Sequence, residues 1–152
     1  MLQVGCANKG GYVQFHEGPP LPPNKKAIIE GHYGYRNGSI ANEMTRIVEI
    51  NGERVPKQWF VAEGANTVSL LPGYYEIKIL YVHGFNIIDY YTYITLPVVL
   101  EPNCTYKIIT EWSSSSTSVG VDLVSKPSSE GSDATCAERA IQPEPEQGPI
   151  NI

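Results

Sequence analysis

The chain has 152 residues with a hydrophobic content of 41%, which is enough for one domain with an apolar core and short for two. Its formal net charge of -5 argues against nucleic acid as a partner, because that affinity rests on lysine and arginine side chains that neutralise phosphates. No run of about 20 apolar residues is present, so no segment of the given sequence predicts a membrane-spanning helix.

The first 25 residues predict a tether. The segment "EGPPLPPNKK", at residues 17–26, contains four closely spaced prolines, which favour an extended polyproline conformation and cannot donate hydrogen bonds to a strand ladder. We therefore expect the folded domain to occupy residues 26–124.

Within that range apolar and polar residues alternate with a period of two, which is typical of half-buried β-strands. The clearest examples are "YYEIKILYV", "ITLPVVL", "CTYKIITEW" and "SVGVDLV", and shorter apolar runs precede them at residues 26–33, 44–50 and 65–71. Pro97 indicates an edge strand or a break. The phase of the alternation predicts six core residues: Tyr75, Ile77, Ile79, Tyr106, Ile108 and Val121.

Turn residues separate these strands at regular intervals. Asn51-Gly52 predicts a tight hairpin, because both central positions of a type I′ turn need a positive φ. Pro72-Gly73 predicts a second turn, and Ser113–Ser116 predict a loop. No stretch has helical periodicity over three turns. The pattern predicts an all-β fold, an antiparallel β-sandwich of about seven strands.

The remaining segment, residues 125–152, predicts a flexible acidic tail. It is rich in serine, proline and glutamate and lacks any periodicity, with two basic side chains against five acidic ones. We therefore assign the chain three parts: a tether at 1–25, a sandwich at 26–124 and this tail.

The sequence "LQVGC", at residues 2–6, resembles the lipobox that ends a bacterial lipoprotein signal. The resemblance implies that Cys6 receives a lipid, and Ala7 after it is similar to lipoproteins sorted to the outer membrane. Gln3 departs from the leucine that the family prefers, and the charged and apolar parts of a signal peptide are not in the given sequence. We expect a truncated signal or a misplaced start; the alternative is a chance cysteine.

A second resemblance covers residues 45–112. "VSLLPGYYEIKILY" and "LPVVLEPNCTYKI" are similar to small bacterial envelope proteins, and their Pro-Gly-Tyr strand resembles carboxypeptidase-regulatory-like and other transthyretin-like sandwiches. The resemblance implies a transthyretin-like or immunoglobulin-like sandwich. Those families are mostly non-enzymatic, and the motif indicates a fold better than an activity.

If Cys6 carries a lipid, Cys104 and Cys136 are left as an even pair in an oxidising compartment, where disulfides form and persist. A hairpin through the serine loop would return the chain towards Cys104. The sequence thus allows a Cys104–Cys136 disulfide, and the alternative is two free thiols in a cytosolic protein.

The densest candidate for binding is "VHGFNIIDYYTY", at residues 82–93, which we interpret as a loop. Phe85, Tyr90, Tyr91 and Tyr93 could stack on sugar rings or anchor a protein partner, because tyrosine combines contact area with a polar tip. The alternative is that each ring simply packs against the sandwich.

Catalytic and metal signals are weak. His32, His83 and a carboxylate could meet in a zinc site, but solvated or hydrogen-bonded histidines are the favoured interpretation. The serines at 113–116 lack a G-x-S-x-G elbow. We predict no enzyme, no catalytic residue, no metal and no cofactor.

These observations predict a non-catalytic envelope lipoprotein with a structural or binding β-sandwich. Its expected partners are the membrane, through the lipid on Cys6, and a protein or glycan. Its expected location is the outer membrane, facing the periplasm or the cell surface. A carbohydrate- or peptide-binding module that uses the tyrosine-rich loop is the main alternative, and an enzyme is disfavoured.

Overall fold

The computed structural model describes residues 13–35, 42–56, 64–85, 88–113, 118–129 and Cys136, and these are almost entirely β-structure. One short 3-10 helix, Pro23–Lys25, is present among them. The described strands are β1 Val13–Gln14, β2 Ala27–Glu30, β3 Tyr33–Tyr35, β4 Asn42–Ile50, β5 Glu53–Arg54, β6 Thr67–Leu70, β7 Gly73–Phe85, β8 Ile88–Leu100, β9 Cys104–Ser113 and β10 Ser118–Pro127.

Two sheets pack face to face and confirm the predicted all-β sandwich. Sheet A has the order β1-β6-β2-β9-β10, and sheet B has the order β3-β4-β7-β8, with β5 paired to β4. Seven of the ten described strands have four residues or more, and β1, β3 and β5 have two or three. The predicted number of strands therefore equals the number of longer strands. β1, β3 and β5 were not predicted, because two or three residues are too few to show an alternating pattern.

The sandwich is mainly antiparallel, as predicted, and two of its described strand pairings are parallel. β1 pairs parallel to β6, with Val13 opposite Val68, and β2 pairs parallel to β9, with Ala27 opposite Cys104. After β2 the chain crosses to sheet B, returns to sheet A at β6, and passes through β7 and β8 of sheet B before it reaches β9. Such long crossovers allow parallel neighbours, whereas tight hairpins produce antiparallel ones.

Five of the six predicted core residues are buried, which confirms the predicted phase of the strands. Ile77, Ile79, Tyr106, Ile108 and Val121 are all buried. Tyr75 is only partly buried: its ring packs against the core, and its hydroxyl donates to the carbonyl oxygen of Leu71 at 2.7 Å.

Both predicted turns are present. Asn51 and Gly52 have φ values of 50° and 78°, as a type I′ turn requires, and they join β4 to β5. Pro72-Gly73 lies at the crossing from β6 in sheet A to β7 in sheet B, where Gly73 has a φ of 152°. The second turn therefore links the two layers of the sandwich.

The sandwich begins before the predicted boundary at residue 26. Val13 and Phe15 are buried in the core. The side-chain amide of Gln14 donates to the carbonyl oxygens of His16 at 3.2 Å and Gly18 at 2.6 Å, and it fixes the bend that follows β1. The prediction of a tether missed this strand because two residues show no period. The prolines from Pro19 onward do lie outside the core, in an exposed stretch that ends at the 3-10 helix.

The start of the tail is fastened to the sandwich by a disulfide between Cys104 and Cys136, with their Cα atoms 6.0 Å apart. This confirms the pairing that the sequence allowed. Neighbouring hydrogen bonds add to it: the N–H of Ser128 donates to the carbonyl oxygen of Asn103 at 2.8 Å, and the Ser129 hydroxyl donates to the Asn103 side chain at 2.9 Å. β10 itself extends to Pro127, beyond the predicted end at 124.

One corner joins the two sheets through backbone contacts. Where β2 ends, the N–H of Gly31 donates to the carbonyl oxygen of Asn66 at 2.6 Å, and the N–H of Thr45 donates to the carbonyl oxygen of His32 at 2.7 Å. Ile47 and Ala65 exchange two backbone hydrogen bonds of 2.9 Å. A Cβ on Gly31 would overlap the carbonyl oxygen of Thr45. Only glycine allows the approach at this point.

Candidate functional site

The predicted tyrosine-rich loop is mostly strand. Residues 82–85 end β7 and residues 88–93 begin β8, with Val82 opposite Tyr91 and His83 opposite Tyr90. The prediction of a loop was wrong because Tyr, Ile and Val are strong strand formers that continue the hairpin to its tip. Residues 86 and 87 lie outside the described part of the chain, as does the side chain of Phe85.

Strand alternation divides the predicted aromatic group. Tyr91 and Tyr93 lie on the outer face of sheet B, with 42% and 39% of their surface exposed. Tyr90 has the opposite phase and is half-buried, on the same side as the buried Thr92. The structure therefore brings Tyr91 and Tyr93 together on one surface and separates Tyr90 from them.

We call the outer surface around these rings the tyrosine face, formed by Tyr91, Tyr93, Lys78 and Glu49. The ring centroids of Tyr91 and Tyr93 are 6.4 Å apart, with an angle of 82° between the planes. The Lys78 ammonium lies 5.2 Å from the centroid of Tyr93 and 3.6 Å from a carboxylate oxygen of Glu49. Exposed rings thus lie next to an ion pair that can exchange hydrogen bonds with a ligand.

The same side of the hairpin exposes further apolar residues that sequence reasoning missed. Tyr74 and Val99 are directly opposite each other, with 58% and 44% of their surface exposed. The period-two pattern could have found both, since Tyr74 has the phase of Lys78, and Val99 the phase of Tyr93. Among the described strands β8 pairs with β7 alone, so it is an edge strand 13 residues long.

Other tyrosines are structural. Tyr106 is fully buried, and its hydroxyl accepts a hydrogen bond from the backbone N–H of Glu101 at 2.8 Å. Burial raises the pKa of the Tyr106 hydroxyl above its ordinary value; the hydrogen bond from the Glu101 N–H opposes this, and the Glu101 carboxylate adds to it. Burial also raises the pKa of Tyr75. These rings hold the sandwich together and are separate from the tyrosine face.

A buried polar cluster lies on the inner face of sheet B. Glu43 and His83 are directly opposite each other on β4 and β7, and both are more than nine-tenths buried. The Tyr81 hydroxyl donates to Glu43 Oε1 at 3.2 Å, and His83 Nδ1 is 3.8 Å from the same oxygen. His83 shares the phase of Ile77 and Ile79, so its burial could have been read from the sequence.

The zinc interpretation gains no support. His32 borders a cavity at the corner between the sheets, whereas His83 is enclosed beside Glu43. Within the described ranges, no three His, Cys, Asp or Glu side chains are grouped closely enough to hold a metal ion. Of the serines at 113–116, only the backbone of Ser113 is described, and it ends β9.

The cavity at the corner has a volume of about 550 Å³, and we call it the corner pocket. Every side chain that lines it is polar: Glu30, His32, Arg46, Asn66, Thr67 and Lys107, together with Gly31. No residue predicted as a site lines it, apart from His32 of the disfavoured zinc interpretation. Its members are far apart in sequence, so no local motif indicates it.

No family model matches the chain, and neither a curated protein nor a solved structure matches it. In the described residues, no helix has the length and apolar character that crossing a bilayer requires.

Proposed function

We propose that the protein is a non-catalytic binding module of the bacterial cell envelope, anchored through a lipid on Cys6. The observation that carries the binding role is the tyrosine face, where Tyr91 and Tyr93 are exposed beside the Lys78–Glu49 ion pair. Large exposed rings on a folded surface are typical of recognition sites, because a ring in contact with water gains favourable free energy when a ligand covers it.

The ligand class we propose is a glycan chain. A flat ring offers a surface for the C–H groups of a sugar, and the ammonium and carboxylate beside it can donate to and accept from sugar hydroxyls. Tyr91 and Tyr93 are alternate residues of one strand, so their Cα atoms are separated by about 6.5–7 Å along the sheet. That spacing suits neighbouring units of an extended chain.

The envelope location rests on two supports. The Cys104–Cys136 disulfide is typical of proteins in oxidising compartments. The "LQVGC" sequence resembles a lipobox. Cys6 lies outside the described residues, and only residues 7–12 separate it from β1. At about 3.3–3.6 Å per residue, even an extended linker would keep β1 within roughly 25 Å of a lipid on Cys6.

Lipidation is tested by Cys6→Ser in a precursor with an upstream signal restored. We expect the unsubstituted precursor to incorporate labelled fatty acid and to fractionate with membranes, and we expect the serine variant to do neither. Cys104→Ser and Cys136→Ser are the matched controls, which should keep the label because they lie in the disulfide. Labelling that persists in Cys6→Ser would reject the anchor.

Glycan binding is tested by affinity electrophoresis in gels containing solubilised peptidoglycan strands or a neutral glucan. We expect retardation in at least one gel and its loss when Tyr91 and Tyr93 are both changed to Ala. Tyr74→Ala, an exposed tyrosine at the other end of the same face, is the control. Normal mobility in both gels would reject the glycan class.

A second candidate, peptide binding, is favoured by one separate observation. β8 is a long strand that pairs on one side only among the described strands. An extended peptide could add to such an edge through main-chain hydrogen bonds. Pro97 would limit the addition to part of the edge, since proline has no N–H to donate.

A further inference from the structure

The corner pocket lies where the outer face of sheet A meets the crossing into sheet B. Glu30, at the end of β2, is opposite Thr67 on β6 and opposite Lys107 on β9. These three side chains, from adjacent strands, form one border. His32 and Arg46 complete the pocket from the crossing segment and from β4.

The backbone around the pocket is held firmly. The N–H of Gly31 is bonded to the Asn66 carbonyl oxygen, and the N–H of His32 donates to the Thr45 hydroxyl at 2.6 Å. Arg46 lies between Thr45 and Ile47, which are both fully buried and joined to the crossing segments. Rigid walls of this kind hold their side chains in place before a ligand arrives, which lowers the entropic cost of binding.

The charges of the pocket favour an anion. Arg46 and Lys107 contribute two positive charges from different sheets, and Glu30 contributes one negative charge. Among the described residues no ion pair joins Lys107 to Glu30. Two positive side chains against one negative one leave the lining with a positive balance. The guanidinium offers several N–H donors in a planar fork that suits carboxylate and phosphate groups.

We propose that the corner pocket binds a small hydroxylated organic anion, with its carboxylate or phosphate group between Arg46 and Lys107. Glu30 accepts hydrogen bonds from the ligand's hydroxyl groups, and Thr67 is available as a further polar partner. A volume of about 550 Å³ is within the range of small-molecule sites, and the absence of apolar side chains among the described lining residues excludes a hydrophobic ligand.

The test is a titration of the whole folded chain, followed by the backbone amide signals of Gly31, His32, Asn66 and Thr67. The probes are tartrate, inorganic phosphate and erythritol, a neutral four-carbon polyol with hydroxymethyl groups in place of the two carboxylates of tartrate. We expect saturable shifts with tartrate, phosphate or both, and no shifts with erythritol. Binding of tartrate alone would identify a carboxylate ligand, and binding of phosphate alone would identify a phosphorylated one.

Lys107→Gln and Arg46→Gln should each raise the dissociation constant about tenfold or more, because each removes a charge-assisted hydrogen bond. Lys126→Gln is the matched control: it removes the same charge from an exposed position on β10 in the same sheet. Lys107 is exposed, so its variant remains informative even if Arg46→Gln folds poorly.

Equal weakening by Lys126→Gln would show general charge attraction and overturn the proposal. Equal binding of erythritol, or saturable binding of neither anion, would overturn it as well. Arg46 is opposite Leu80, and Leu80 is opposite Tyr93, so the guanidinium belongs to the same outer face of sheet B as the tyrosine face. Neither Tyr91 nor Tyr93 lines the pocket, so their double variant should retain anion binding whatever happens to glycan binding.

Discussion

The tyrosine face and the corner pocket are constructed in opposite ways. The tyrosine face comes mainly from one hairpin, in which β7 and β8 place alternate side chains outward over 13 paired residues. The corner pocket comes from four segments that meet only because the chain crosses between sheets at Gly31, returns at β6 and returns again at β9. The first surface therefore depends on strand register, and the second depends on how the two sheets are joined.

This difference affects what each surface can do. The side chains of the tyrosine face stand on a regular sheet, where substitution changes the surface without moving the backbone. The pocket depends on close backbone contacts, such as that of Gly31 with Thr45. Its geometry is consequently more rigid and more sensitive to changes nearby.

The largest expected effect comes from the core beneath the sheets. Ile77→Ala removes a fully buried side chain from β7, between Ile50 and Leu96, and should lower the free energy of unfolding by about 2–5 kcal/mol. Ile109→Ala is the matched control, because 43% of that isoleucine is exposed on the outer face of sheet A. Denaturant unfolding measures both. Equal losses would contradict the assigned strand phase.

Gly31→Ala should disrupt the corner pocket and spare the tyrosine face. The added methyl would overlap the Thr45 carbonyl oxygen, a backbone atom that cannot rotate away, so we expect a loss near or above the upper end of about 1–3 kcal/mol. Amide signals of Thr45 and Asn66 should shift strongly, while the ring signals of Tyr91 and Tyr93 should not. Unchanged signals at Thr45 would mean that the two sheets are not in contact there.

Stability at alkaline pH tests the structural role of the buried tyrosine Tyr106. Burial raises the pKa of Tyr106 above 10.0, so the folded state keeps its proton when the unfolded chain has begun to lose it. The stability that this hydroxyl provides is complete below pH 10.0 and declines as the pH rises through the raised folded pKa. Tyr106→Phe should flatten the decline above pH 10.0 in thermal unfolding. It also lowers stability at neutral pH by leaving the Glu101 N–H unbonded. An unchanged slope would contradict this role.

The sequence predicted what is local and missed what is topological. Alternation in β7 and β9 was enough to assign Ile77, Ile79 and Tyr106 to the core, and Asn51-Gly52 was enough to assign a hairpin. The parallel pairing of β2 with β9 depends on the route of the chain through sheet B, which no single segment encodes. The same reason explains why the tyrosines were found and the corner pocket was not.

The predicted boundaries of the folded domain were wrong for a related reason. β1 contributes two residues to sheet A, and its stability comes from Val68 and Ser69 on a strand more than fifty positions away. The disulfide of Cys136 likewise fixes a point in a segment whose composition predicts flexibility. Tertiary contacts decide such short segments, and local preference does not.

The smallest expected change in stability is that of the double variant Tyr91→Ala and Tyr93→Ala. Both rings are on the outer face, so their loss should lower the free energy of unfolding by only about 1 kcal/mol, through the ring pair and the Lys78 contact. Tyr81→Ala, on the same hairpin but fully buried, should cost about 3–5 kcal/mol as other large aromatic truncations in cores do. The contrast is decisive because the Cα atoms of Tyr81 and Tyr91 belong to neighbouring strands, and only the side of the sheet differs. A large loss in the double variant would assign those rings to packing and remove the tyrosine face as a binding surface, whereas the expected small loss with lost glycan retardation would tie the surface to recognition.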